Sequence, residues 1–218
     1  VGKGVLWKAN TSVWNKTIAK KFNTTTMSDG KVRHADTTTW YDNYPMEEVS
    51  HQDFDVVWTQ AYNASGVKLD AATWGDHPRS GDSIGFIGLF GFDNTAMKNY
   101  VAGGVVQAVK VLVKLIDPSH AGNPDVRFGA HIYTSKPASA SWASINQSYI
   151  KQEKFYQTGG DIERWVELPS TAWILGDMGG IAIWSPANTA ANSARFAGKT
   201  TSNGVNSYVS KLHLQVLK

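Results

Sequence analysis

Val105-Val-Gln-Ala-Val-Lys-Val-Leu-Val-Lys-Leu-Ile116 is the stretch that decides the fold. Val109, Val111, Val113 and Leu115 are apolar without exception, while Lys110 and Lys114 fall on the alternate phase. A period of two sends successive side chains to opposite faces of a pleated strand, so this is a long strand with one face in a core and the other in water. The period recurs along the chain. Phe54, Val56 and Trp58 alternate with Asp55, Val57 and Thr59. Ile84, Phe86, Gly88, Phe90 and Phe92 form a row with Ile87 and Leu89 on its other side. Val126, Phe128, Ala130 and Ile132 alternate with Arg127, Gly129, His131 and Tyr133; Ile181 with Ile183, then Leu212, Leu214 and Val216, complete the set. Each reads as a half-buried strand with one wet face.

Turn residues punctuate these runs: Ser65-Gly66, Ser80-Gly81, Gly103-Gly104, Gly122-Asn123-Pro124, Gly159-Gly160, Gly179-Gly180 and Asn203-Gly204. Many strands at short spacing, broken by Gly and Pro, predict an all-β fold, an antiparallel β-sandwich of jelly-roll-like character. One or two short helices are expected within it. Asp93 is placed to cap a helix over 95–101 that ends at Gly103, and Ser170 one over 171–175 that closes at Gly176. No composition break, linker or internal repeat divides residues 1–218, which read as a single sandwich domain. The Ser/Thr/Asn/Ala-rich stretches 134–148 and 185–207 read as loops and edge strands.

Composition narrows the function classes. Of 218 residues, 42% are apolar and 11% aromatic, including nine Trp, which supplies a sizeable core. Only 18% are charged, so the surface must be built largely from neutral polar residues, as suits extracellular, glycan-facing or assembling proteins. The net charge of +3 is scattered, with its densest run at Lys16, Lys20 and Lys21, and the clustered footprint of a nucleic-acid binder is missing. No cysteine is present, which excludes disulfides, thiolate metal sites and cysteine nucleophiles, and points to a bacterial or viral source. The five N-x-S/T sequons, at Asn10, Asn15, Asn23, Asn63 and Asn146, are what chance yields in so Asn-, Ser- and Thr-rich a chain. No apolar run approaches the roughly 20 residues of a membrane span, and no signal peptide is read at the start.

From Gly81 to Lys218 the order of elements is distinctive. An apolar strand ending at Phe92 leads to a short helix, the long strand, a strand containing His131, and Lys136-Pro137. Arg164-Trp-Val-Glu-Leu-Pro169 follows, then Gly180-Ile-Ala-Ile-Trp-Ser-Pro186, Ala194-Arg-Phe-Ala-Gly198 and a last alternating strand. This order resembles the β-sandwich domains of minor tail and tail-tip proteins in long-tailed phages of Gram-positive bacteria, and is similar to adhesive sandwiches of bacterial surface proteins. The resemblance implies a non-catalytic role in tail structure or host attachment, in the virion tail or outside the cell. Its partners would be other tail proteins or a host cell-surface glycan, with homo-oligomerisation, for instance as a trimer.

The chemistry-bearing residues agree with binding rather than catalysis. The six His include no His-x-x-x-His pair, and no calcium loop is present. His51, Asp53 and Asp55 share one strand face, a pattern that could begin a metal site but is the ordinary wet face of a strand; no metal or cofactor is expected. Of the paired carboxylates a glycosidase needs, Glu47/Glu48 point to opposite faces, and Asp53/Asp55 and Asp161/Glu163 are only local pairs. No nucleophile elbow occurs, and Gly85-x-x-Gly88-x-x-Gly91 lies inside an apolar strand, where glycines mark close approach rather than phosphate binding. Flat aromatic rings beside amides and carboxylates can stack on sugars. Two clusters fit that chemistry: Trp40, Tyr41, Asp42, Asn43 and Tyr44, and the loop with Trp74, Asp76 and His77. Trp58, Trp165 and Trp184 read as sheet packing. The alternatives are a carbohydrate-binding module of a secreted bacterial glycan-active enzyme and a glycan-active enzyme in its own right.

Overall fold

The computed structural model describes residues 5–10, 13–18, 32–33, 40–41, 48–70, 75–81, 85–117, 123–156, 162–169, 179–186, 193–201 and 204–218. They fall into two compact units, residues 1–50 with 217–218, and residues 51–216. In the first, β1 (Val5–Asn10) and β2 (Val13–Ile18) pair antiparallel with Asn10 opposite Val13, and β3 (Val32–Arg33) pairs β4 (Trp40–Tyr41). Glu48 and Lys218 exchange both backbone hydrogen bonds at 2.9 Å.

The second unit is the sandwich. One sheet runs β11 (Ile145–Lys154), β10 (Asp125–His131), β13 (Gly180–Trp184), β8 (Ile87–Gly91), β6 (Trp58–Tyr62). The other runs β5 (Val49–Asp55), β15 (Lys211–Leu217), β9 (Val105–Asp117), β14 (Ala194–Phe196), β7 (Arg79–Ser80), with β12 (Ile162–Leu168) also paired to β9. Leu115 of β9 pairs with Ile162 on one side and Phe196 on the other. Between the sheets lie Phe90, Val109, Val111, Val113, Leu115, Phe128, Val166, Ile181, Ile183, Phe196, Leu212 and Leu214, all essentially buried. Each such aliphatic or aromatic side chain contributes roughly 1.5–3 kcal/mol when fully withdrawn from water. The apolar phase of the long strand therefore does what its spacing requires.

α1 (Asn94–Val101) starts where expected: the Asp93 carboxylate accepts from the Ala96 N–H at 2.9 Å, and Gly103, at φ +74°, follows its end. The helix expected over 171–175 lies outside the described residues. A 3-10 turn at Trp142–Ser144 was not anticipated.

Three expectations about the strands are corrected. Phe54 to Trp58 is not one strand. The chain leaves the six-stranded sheet at Asp55 and enters the five-stranded sheet at Trp58, and the corner is pinned from both sides: the Val56 N–H donates to Ser210 O and the Val57 N–H to Gly91 O, each at 2.8 Å. Ile132, expected inside, is 46% exposed, because β10 ends at His131. The five-stranded sheet has no wet face along β8 and β13, which are buried at every residue. Its outer residues Tyr62, Ile87, Leu89, Ala182 and Trp184 form a second core with Ala140 and Ile145. The segment after β10 supplies the cover. The Tyr62 hydroxyl donates to Pro137 O at 2.7 Å, the Ala140 N–H donates to Gly66 O at 3.0 Å, and Trp142 meets Trp184 edge to face.

One row of this outer face is unusual. The ladders place Trp58, Gly91, Gly180 and His131 side by side on β6, β8, β13 and β10. Two central residues without side chains leave a trough, and the Trp58 and His131 rings meet over it with centroids 5.6 Å apart. A Cβ on Gly91 would collide with the indole, and one on Gly180 with the Phe90 carbonyl and the imidazole. Gly88, facing inward, lets Arg79 of β7 approach. The glycines of the Gly85-x-x-Gly88-x-x-Gly91 run that lie in β8 are thus close-approach points. His131 is fully buried; Nε2 is 3.1 Å from Phe90 O and Nδ1 accepts from the Tyr133 N–H at 3.1 Å. With Nε2–H donating, the neutral ring satisfies both nitrogens, and a second proton would break the Tyr133 bond.

Gly91→Ala should destabilise by about 1–3 kcal/mol through overpacking, and by much less in a Trp58→Ala background, where the collision is gone. Urea titration of the four-variant cycle checks this; an equal penalty in both backgrounds contradicts it. Burial pushes the His131 pKa down from 6.5 to about 4, against the smaller opposing effect of the Phe90 carbonyl. The unfolded chain therefore binds more protons than the native one between those values, so stability falls as pH drops from about 6.5 to about 4 and levels off below. The loss across that window is about 3 kcal/mol. His131→Gln should flatten this part of the stability–pH curve, whatever it does to stability at pH 7.

Candidate functional site

The second sandwich sheet keeps a wet face, and its alternation decides what stands there. β15 alternates perfectly, with Leu212, Leu214 and Val216 buried and His213 between them on the outer side. On β5, Phe54 points inward while His51, Asp53 and Asp55 are exposed. On β12, Val166 and Leu168 are buried, which turns Glu163, Trp165 and Glu167 outward, opposite Lys114, Leu112 and Lys110 of β9. β15 lies between β5 and β9, so side chains from β5, β15, β9 and β12 can converge.

They do so around His213. Its Nδ1 lies 2.7 Å from Asp53 Oδ1, and its Nε2 lies 3.4 Å from Nδ1 of His51. Trp165 meets the same imidazole edge to face, with centroids 6.1 Å apart. Together with Gln52 and Lys110 these residues line an open recess of about 640 Å³. An ionised carboxylate can only accept, so Nδ1 of His213 carries the proton shared with Asp53, and in the neutral ring Nε2 presents its lone pair toward His51. Asp53 thus fixes both the orientation and the tautomer of His213.

Trp165 corrects the sequence reading. It is in a strand, but 43% exposed rather than packed, because Val166 and Leu168 hold the inward phase. The signal was present in Arg164-Trp-Val-Glu-Leu168, where the indole shares its phase with Glu163 and Glu167. His213 was legible as an outward residue of an alternating strand; its meeting with His51 and Asp53 was not. Asp55 stands further along the face, 3.9 Å from the Lys211 ammonium. Among the described residues, no three or more of His, Cys, Asp and Glu form a metal-binding group.

None of the residues singled out from sequence for sugar binding is among the described lining of this recess. Trp40 and Tyr41 form β4, opposite Arg33 and Val32. Asp42, Asn43, Tyr44 and Trp74 lie outside the described residues. Asp76 forms an ion pair with Lys136 at 3.1 Å, and its carbonyl accepts from the Thr59 hydroxyl at 2.6 Å. With Gln60, Lys68, Leu69 and Asp70 it lines a smaller recess of about 410 Å³. His77 is fully buried, its Nδ1 accepting from the Gly198 N–H at 2.9 Å. It ties two connecting segments together.

The described lining of the larger recess offers one carboxylate, two imidazoles, an ammonium, an amide and an indole. It holds neither a hydroxyl nor a thiol nucleophile, and sugar-bond hydrolysis by paired carboxyls needs two. A flat ring flanked by hydrogen-bonding groups is suited to hold a polar ligand with apolar C–H faces. Comparison with protein-family models and with curated protein sequences finds no match.

Neutral His213 should exist mainly as the Nδ1–H tautomer. Long-range proton–nitrogen NMR of the labelled protein reads this directly, and Asp53→Ala should move the population toward Nε2–H. An Nε2–H form in the wild type would refute the assigned hydrogen bond.

Proposed function

We propose that this chain is a non-catalytic attachment module that recognises a cell-surface glycan through the outer face of its six-stranded sheet. It would work in a phage tail or a comparable extracellular assembly, with other tail proteins as neighbours. The observation that carries the reading is the exposed Trp165 indole in the recess with Asp53, His51, His213, Gln52 and Lys110. A sugar presents an apolar C–H face that covers such a ring, and hydroxyls that exchange hydrogen bonds with carboxylate, imidazole and amide. The platform is held on four neighbouring strands, so little conformational entropy is lost when a ligand docks. The sandwich architecture agrees with the resemblance over residues 81–218, which contributes the attachment role. A sheet-borne aromatic platform also suits a carbohydrate-binding module of a secreted bacterial enzyme, and a fused catalytic domain would distinguish that alternative.

A glycan array and binding to Gram-positive cell walls test the reading. Trp165→Ala should weaken binding about tenfold or more, roughly 1.4 kcal/mol for a residue at the centre of a contact. Trp40→Ala and Trp74→Ala report separately on the two clusters first seen in the sequence. Unchanged binding by Trp165→Ala would remove the platform from the account, and polysaccharide turnover by the purified chain would overturn its non-catalytic part.

A further inference from the structure

His51 and His213 are 162 residues apart in sequence, yet Nδ1 of one faces Nε2 of the other at 3.4 Å on the wet side of the sheet. At that separation the two nitrogens can share a long N–H···N hydrogen bond in the metal-free protein. It also fits two donors to one metal ion: with metal–nitrogen bonds of about 2.0–2.1 Å, nitrogens at this spacing subtend an angle of about 110°, close to tetrahedral. A second observation points the same way. The remote nitrogen of His213 is 2.7 Å from Asp53 Oδ1, the carboxylate–imidazole contact that commonly backs a metal-bound histidine and leaves its other nitrogen free to donate a lone pair. Both rings border an open recess, where water or an incoming ligand can complete the coordination. Imidazole donors favour zinc, copper and nickel over calcium or magnesium.

We propose that His51 and His213 form a two-histidine binding site for a divalent transition metal of the zinc class, with Asp53 as the positioning residue for His213. Asp53 lies on the far nitrogen of the ring, so it acts through His213 and does not itself ligate. The protein supplies two donors and leaves the remaining positions to water or an incoming ligand. Lys110 in the same recess opposes a cation, and Glu167 pairs opposite it on β12. The site does not depend on the glycan reading: zinc binding can fail while sugar binding holds, and the reverse.

Calorimetric titration of metal-free protein with zinc chloride tests the proposal. The wild type should take up one zinc at this site. His51→Ala and His213→Ala should each weaken that binding at least tenfold, and the double variant should abolish it. Asp53→Asn should cost about tenfold, in the range seen for residues behind a metal ligand. Asp55→Asn, on the same strand face but paired toward Lys211, should change it less than twofold. All four positions are at least partly exposed, and thermal unfolding of each metal-free variant checks that it folds. Failure of the wild type to bind zinc, or single histidine variants that bind as tightly as the wild type, would overturn the proposal.

Discussion

Burial of the middle of the five-stranded sheet, β13 and β8, on both faces is the constraint from which the rest of the sandwich follows. Its inner face packs on the long strand β9 and its neighbours, and its outer face lies under the segment that follows β10. A sheet buried this way cannot carry bulky side chains at every position, and the row Trp58–Gly91–Gly180–His131 shows the solution. Two glycines give up their side chains so that an indole and an imidazole can lie over the backbone between them. The imidazole then spends both nitrogens on backbone groups, Phe90 O and the Tyr133 N–H, and locks the end of β10 to β8 and to the start of the covering segment. Polar groups in such a place stabilise only when fully paired, which ties this part of the fold to the neutral state of one ring.

With β8 and β13 enclosed, the six-stranded sheet offers the solvated face on which the candidate functional side chains gather. Alternation alone would make that surface an unremarkable mixture of charges. What distinguishes it is convergence: β5 brings His51 and Asp53, β15 brings His213, and β12 brings Trp165 to one place. The carboxylate orients one imidazole, that imidazole faces the second, and the indole stands against its edge. The stacking proposed for a sugar would use the indole face, and the ligation proposed for a metal the imidazole nitrogens.

The fold class, the inward residues of β9 and β15, and the helix capped by Asp93 follow from the sequence alone. A period of two or a capping carboxylate is a local property, written within a few consecutive residues. The outward phase of Trp165 was local as well, and could have been read from Val166 and Leu168. What tertiary structure decided is of another kind. That Phe54 to Trp58 turns a corner between sheets depends on Ser210 and Gly91, far away in the chain. That β8 and β13 have no wet face depends on where the segment after β10 lies. And that His213 meets His51 and Asp53 depends on the pairing order of strands from opposite ends of the chain, which no local pattern encodes, because strand alternation specifies a face but not a neighbour.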